Sequence, residues 1–88
     1  MTMSFEQALH SLRNGGRVAR KGWNGRNMWL VHVPAGATQV PQKFSGGFDT
    51  AEWIGMRTAD KKFVPWLASQ TDILAVDWEH VATDYATS

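Results

Sequence analysis

Apolar residues recur at Phe5, Ala8, Leu9 and Leu12, the spacing of one face of a helix. Ser4 and Gln7 frame the start as a capping box: the Ser hydroxyl takes the Gln7 N–H and the Gln side chain reaches back. Asn14-Gly15-Gly16 supplies the stop, so the pattern predicts a helix over Phe5–Arg13. The period then shortens to two. Arg17–Arg20 reads as a short strand and Gly22-Trp23-Asn24-Gly25 as a tight corner. In Met28–Val33, Trp29, Val31 and Val33 alternate with Met28, Leu30 and His32, predicting a strand covered on both sides. Glu52–Thr58 and Phe63-Val64 predict a hairpin across Ala59–Lys62, with Pro65 ending the second strand or marking it as an edge. Ser69-Gln70-Thr71-Asp72 is a second capping box, opening a helical turn that reaches Leu74 or Ala75. Asp77–Ala82 is the last strand, and residues 83–88 read as a polar tail. The expected class is α+β: one N-terminal helix packed on a small antiparallel β-sheet, with a short second helical turn before the last strand. Pro34–Thr50 has no period and is long for a loop in so small a chain, which suggests a functional flap or a partner-contacting insertion.

Composition narrows the class. The 88 residues make one domain, 1–88, and the hydrophobic share of 43% against 19% charged residues is that of a globular protein. A domain this short buries only about 60–65% of its unfolded surface, so association would help it. There is no Cys, which excludes a disulfide scaffold, a thiol nucleophile and a zinc–thiolate site. Met1–His10 lacks the basic start and apolar run of a signal peptide, and no apolar stretch is long enough to cross a bilayer. The expectation is a cytoplasmic chain. Five Trp beside eight Gly is unusual and suits cores, interfaces and planar ligands alike.

The formal charge of +1 hides a sorted chain. Between Gln7 and Phe48 there is no acid, while Arg13, Arg17, Arg20, Lys21, Arg26 and Lys43 are basic. From Asp49 onward seven acids face Arg57, Lys61 and Lys62. Two readings follow: the halves neutralise each other, within or between chains, or Arg17–Arg26 forms a compact site for one small phosphorylated ligand. Near-neutrality argues against bulk nucleic acid or an anionic membrane as the main partner.

A catalytic set is hard to assemble. His10, His32 and His80 are isolated, and no nucleophile elbow, P-loop or dinucleotide fingerprint occurs. Asp77 and Glu79 share a strand face, as an acid–base pair or as solvated rim charges. Binding chemistry is better represented. Arg20-Lys21-Gly22-Trp23-Asn24-Gly25 joins two cations, an aromatic plane, an amide and two flexible Gly. Arg can grip phosphate oxygens in a fork and Trp23 can stack on a base; the same residues also describe a plain surface turn with a Trp folded under it. Trp66 stands just before the helical turn opened by Ser69, where Asp72 complements the dipole or accepts from a ribose hydroxyl or base amino group. Trp29, Trp53 and Trp78 on strands read as core or subunit-interface residues.

In order and spacing, several blocks closely resemble the small phage and prophage family that contains the second Thoeris anti-defence protein. They are Ser4–Leu9, Val18-Ala19-Arg20-Lys21-Gly22-Trp23-Asn24-Gly25, Met56–Asp60, Phe63–Trp66, Ser69–Ala75 and Asp77-Trp78-Glu79. The resemblance runs from Ser4 to about Val81. It implies a single nucleotide-binding domain acting as a sponge in the bacterial host cytoplasm. Such a sponge sequesters glycocyclic ADP-ribose made by Thoeris enzymes, cyclic dinucleotides of CBASS-type defence, or both, without cleaving them. It further implies a helix-and-sheet fold, a homotetramer with pockets between adjacent subunits, and no enzyme activity, cofactor or metal. Carried over to matching positions, it implies a pocket in which Trp23 stacks on a base beside Arg20, Lys21 and Asn24. Phe5, Trp66, Ser69, Gln70, Thr71 and Asp72 are the next lining residues. Pro34–Thr50 departs from the family pattern and leaves ligand choice open. The alternatives are a protein–protein adaptor and a hydrolase working through Asp72 or Asp77.

Overall fold

The structure is a computed structural model and describes residues 2–40 and 49–82, except for the side chains of residues 24–26. Part of the loop 34–50 and the tail 83–88 therefore lie outside the described residues.

Helix α1 spans Phe5–Arg13, as its periodicity predicts. Both halves of its capping box form: the Gln7 N–H donates to Ser4 Oγ at 3.3 Å and the Ser4 N–H to Gln7 Oε1 at 2.9 Å. Asn14 caps the end, and Gly15 turns the chain at φ +88°, where a side chain would be strained. Strand β1 covers Arg17–Arg20, and a 3₁₀ turn over Lys21–Arg26 carries the chain to β2, Trp29–Val33. Strands β3, Trp53–Arg57, and β4, Phe63–Pro65, form the expected hairpin. Helix α2, Gln70–Leu74, and β5, Trp78–Val81, complete the chain.

The sheet order is β4-β3-β2-β1-β5, antiparallel throughout. The class is α+β, with α2 before the last strand. Pro65 lies in an edge strand, where a missing N–H costs no ladder bond. At the other edge Met3 exchanges two backbone hydrogen bonds with Trp78, at 2.8 and 3.1 Å.

Register sorts the side chains between two faces. Val18 stands opposite Leu30 and Arg20 opposite Trp78. Val18, Leu30 and Trp78 meet Ala8 and Leu12 of α1 in a fully buried core. The other face of β2 differs from expectation. Trp29, Val31 and Val33 are only half-buried, because α1 covers the Leu30 face and α2 packs beside α1. Gly55 sits on this second face opposite Val31, and the Phe63 ring lies over it. The Trp53 and Phe63 rings meet there at 5.4 Å. Trp53 also donates its indole N–H to Thr38 Oγ1 at 2.6 Å.

Candidate functional site

Trp78 is the hub of the aromatic residues. Its indole is fully buried on the α1 face of the sheet. Trp23 meets it edge-on at 5.5 Å and 80°, Trp66 at 5.9 Å and 89°, and Phe5 tilted at 5.5 Å. Phe5 also touches Trp66 at 5.8 Å. Each ring arrives from a different element. Phe5 opens α1, Trp23 rides the 3₁₀ turn after β1, and Trp66 follows the edge strand β4. Phe5, Trp23 and Trp66 stay half-buried, so a rim of aromatic surface remains in contact with water.

Charge lies directly beside this corner. Arg20 reaches from the end of β1 and donates Nε–H to Asp77 Oδ1 at 2.9 Å and Nη1–H to Asp72 Oδ1 at 3.1 Å. A longer contact joins Nη2 to Asp77 Oδ2 at 3.5 Å. These bonds raise the already high pKa of Arg20. Burial opposes the charge on Asp72, but hydrogen bonds from Ser69 and the Arg20 guanidinium outweigh it and hold its carboxyl below its ordinary range. The Ser69 N–H donates to Asp72 Oδ2 and the Asp72 N–H to Ser69 Oγ, at 3.2 and 3.1 Å, which closes the predicted capping box. The Trp78 indole N–H donates to the Asp72 carbonyl at 3.0 Å, tying ring hub and charge cluster together.

The structure thus brings Phe5, Trp23 and Trp66 around one buried ring, and Arg20, Ser69 and Asp72 into one bonded group. Lys21 is exposed on the turn, its N–H bonded to the Asp77 carbonyl. Gln70 and Thr71 are exposed on the first turn of α2. The Asn24 side chain lies outside the described residues. Arg17 is not part of the group: its guanidinium lies 4.2 Å from the Trp29 ring on the opposite face. Strand alternation separates Arg17 from Arg20, so the cations of Arg17–Arg26 do not converge on one point.

Two contributors have roles that the sequence did not give them. Trp78 reads in sequence as an ordinary strand Trp. Asp77 reads as half of a pair with Glu79, whereas its carboxylate is taken up by Arg20, a residue 57 positions away. The charge sorting was the available signal. The ion pairs Arg13–Glu52, Arg20–Asp72 and Arg20–Asp77 each join a first-half cation to a second-half acid.

Other surface features lie apart from this corner. A groove of about 560 Å³ beside α1 includes His10 and His80. A smaller hollow of about 330 Å³ includes His32 and Glu52, 2.9 Å apart, with Arg13 on the same carboxylate. Among the described residues no three His, Cys, Asp or Glu side chains converge to hold a metal ion, and no helix is long and apolar enough to cross a membrane.

The family model of the Thoeris anti-defense 2-like domain matches residues 3–81. Thoeris anti-defense 2 of Bacillus phage SP01 is 40% identical over 89 aligned positions, covering 91% of this chain and 96% of the phage protein. Near-complete coverage on both sides, across the elements that build the aromatic corner, shows that the chain belongs to the Thoeris anti-defense 2-like family.

Proposed function

We propose that this chain is an anti-defence sponge that binds an immune signalling nucleotide at the aromatic corner and holds it intact. Three rings from three elements gathered around Trp78, beside a charged group, are the observation that carries this reading. Half-buried aromatic planes with adjacent donors and acceptors suit a nucleobase and its ribose, for which stacking contributes about 1–3 kcal/mol per base in single-stranded nucleic-acid systems. The family's resemblance-based ligands, glycocyclic ADP-ribose and cyclic dinucleotides, fit that chemistry. Trp23 stacks on the base, Lys21 and Asn24 stand beside it, and Phe5, Trp66, Ser69, Gln70, Thr71 and Asp72 line the remaining wall.

The sponge works as a homotetramer in the host cytoplasm, with pockets completed by adjacent subunits. Leu67, Leu74 and Val76, which are 92%, 76% and 71% exposed, support association, since aliphatic surface of that kind favours a covering partner. The same surface would serve a protein–protein adaptor, the second reading.

Depletion and release test the proposal. Excess protein is mixed with glycocyclic ADP-ribose and cyclic dinucleotides, filtered away and then heated. The expected result is loss of one nucleotide from the filtrate and its recovery unchanged from the protein. An altered product would mean a hydrolase; retention of no nucleotide, with capture of a host protein, would mean the adaptor.

A further inference from the structure

The segment from Trp66 to Asp77 forms one wall of the aromatic corner, yet little apolar burial holds it there. Helix α2 contains no buried residue, and Leu67, Leu74 and Val76 point largely into solvent. Trp66 and Ala75 reach the rim of the core, and the Trp66 N–H bonds to the Ile54 carbonyl at 2.9 Å. Beyond these contacts the segment is fastened by polar bonds, and Arg20 makes several of them. Its backbone belongs to β1, which is paired on both sides by β2 and β5. From that fixed base one guanidinium spans Asp72, in the middle of the segment, and Asp77, at its end. Only 22% of the Arg20 side chain and 16% of the Asp72 side chain is exposed.

We infer that Arg20 is a positioning residue, a clasp that sets the Trp66–Asp77 wall against the rings, and that it does not grip a ligand phosphate. The inference rests on the proposed function only for what the corner binds. One cation facing two carboxylates leaves the group with a net charge of −1, which repels an arriving phosphate. Each guanidinium nitrogen already donates to Asp72 or Asp77, so gripping a phosphate in a fork would draw Arg20 away from at least one of them, leaving mostly buried carboxylate without its partner. Binding an anion there would also loosen the wall. The exposed Lys21, one residue on, is left to meet the anionic part of the ligand.

The test uses the full chain and two NMR reporters. The Arg20 Nε–H signal should stay unmoved by millimolar inorganic pyrophosphate, because its partner is Asp77. The Trp78 indole N–H, bonded to the Asp72 carbonyl, should exchange about tenfold faster in Arg20→Lys and in Asp77→Asn, while the Ala8 amide of α1 keeps its wild-type rate. Lys keeps the charge but lacks the planar fork that holds Asp77 through two nitrogens while a third reaches Asp72, so Arg20→Lys should lower retention of glycocyclic ADP-ribose about as much as Arg20→Ala. A pyrophosphate-induced shift of the Arg20 signal, an unchanged indole exchange rate, or full retention by Arg20→Lys would overturn the inference. If the wild type retains no nucleotide, the sponge reading falls and the clasp is judged on the pyrophosphate and exchange results alone.

Discussion

At the residue scale, identity matters most where one atom more would collide. A Cβ on Gly55 would stand 2.2 Å from Phe63 Cζ, far inside contact distance. Phe63 is 49% exposed, so its ring can swing away, but only by giving up its contact with Trp53. Gly55→Ala should therefore destabilise the domain by about 1–2 kcal/mol in denaturant unfolding. In a Phe63→Ala background the same change should cost little, because nothing remains to displace. Equal costs in both backgrounds would show that the glycine is needed for another reason. Trp78 is the opposite case, a large side chain that cannot be spared. Its truncation to Ala would remove the shared neighbour of Phe5, Trp23 and Trp66, at a cost in the range of about 3–5 kcal/mol.

At the element scale, the two capping boxes have the same local chemistry and unequal consequences. Ser4 starts a helix that contributes Ala8 and Leu12 to the core, whereas Ser69 starts one that contributes no residue to it. Ser4→Ala should cost about 1 kcal/mol of global stability, or roughly 4–8 °C in Tm for a domain of this size. Ser69→Ala should leave global stability within about 0.5 kcal/mol and act locally, speeding exchange at the Ile73 and Ala75 amides. Matching Tm losses in the two variants would show that α2 is as tightly integrated as α1. Both boxes were legible in sequence because their partners lie three residues apart. The cover over β2 was not, since the alternation of Met28–Val33 shows apolar residues on two faces without showing what packs on either.

Across the whole molecule, ion pairs join the basic first half to the acidic second half, and this governs the response to acid. The hydrogen bond from His32 and the charge of Arg13 hold the Glu52 carboxyl below its usual range, and Ser69 and Arg20 do the same for Asp72. A carboxylate whose folded pKa is depressed contributes stability that is fully present above its unfolded value, near 4, and is lost as pH falls through the folded value. Protonation of these two groups should therefore not lower Tm between about pH 6 and 8, while below about pH 4 it should contribute a decline. Asp72→Asn should lower Tm at neutral pH and flatten its acid limb. An acid limb of unchanged steepness would assign the decline to other carboxylates.

Sequence alone determined what local chemistry controls. The bounds of α1 follow from an apolar stripe and a cap, the hairpin from two apolar runs around a polar turn, and the edge position from Pro65. It also carried the family blocks, because those are runs of neighbouring residues. Tertiary structure decided the rest. The return of β5 to the free side of β1, with Arg20 facing Trp78, depends on a pairing between distant strands that no local window contains. That pairing buries Trp78, gathers Phe5, Trp23 and Trp66 around it, and gives Arg20 its two carboxylates. Residue types can be read from the chain, but whether an arginine faces a ligand or is already bound by the protein's own acids depends on which distant segments meet.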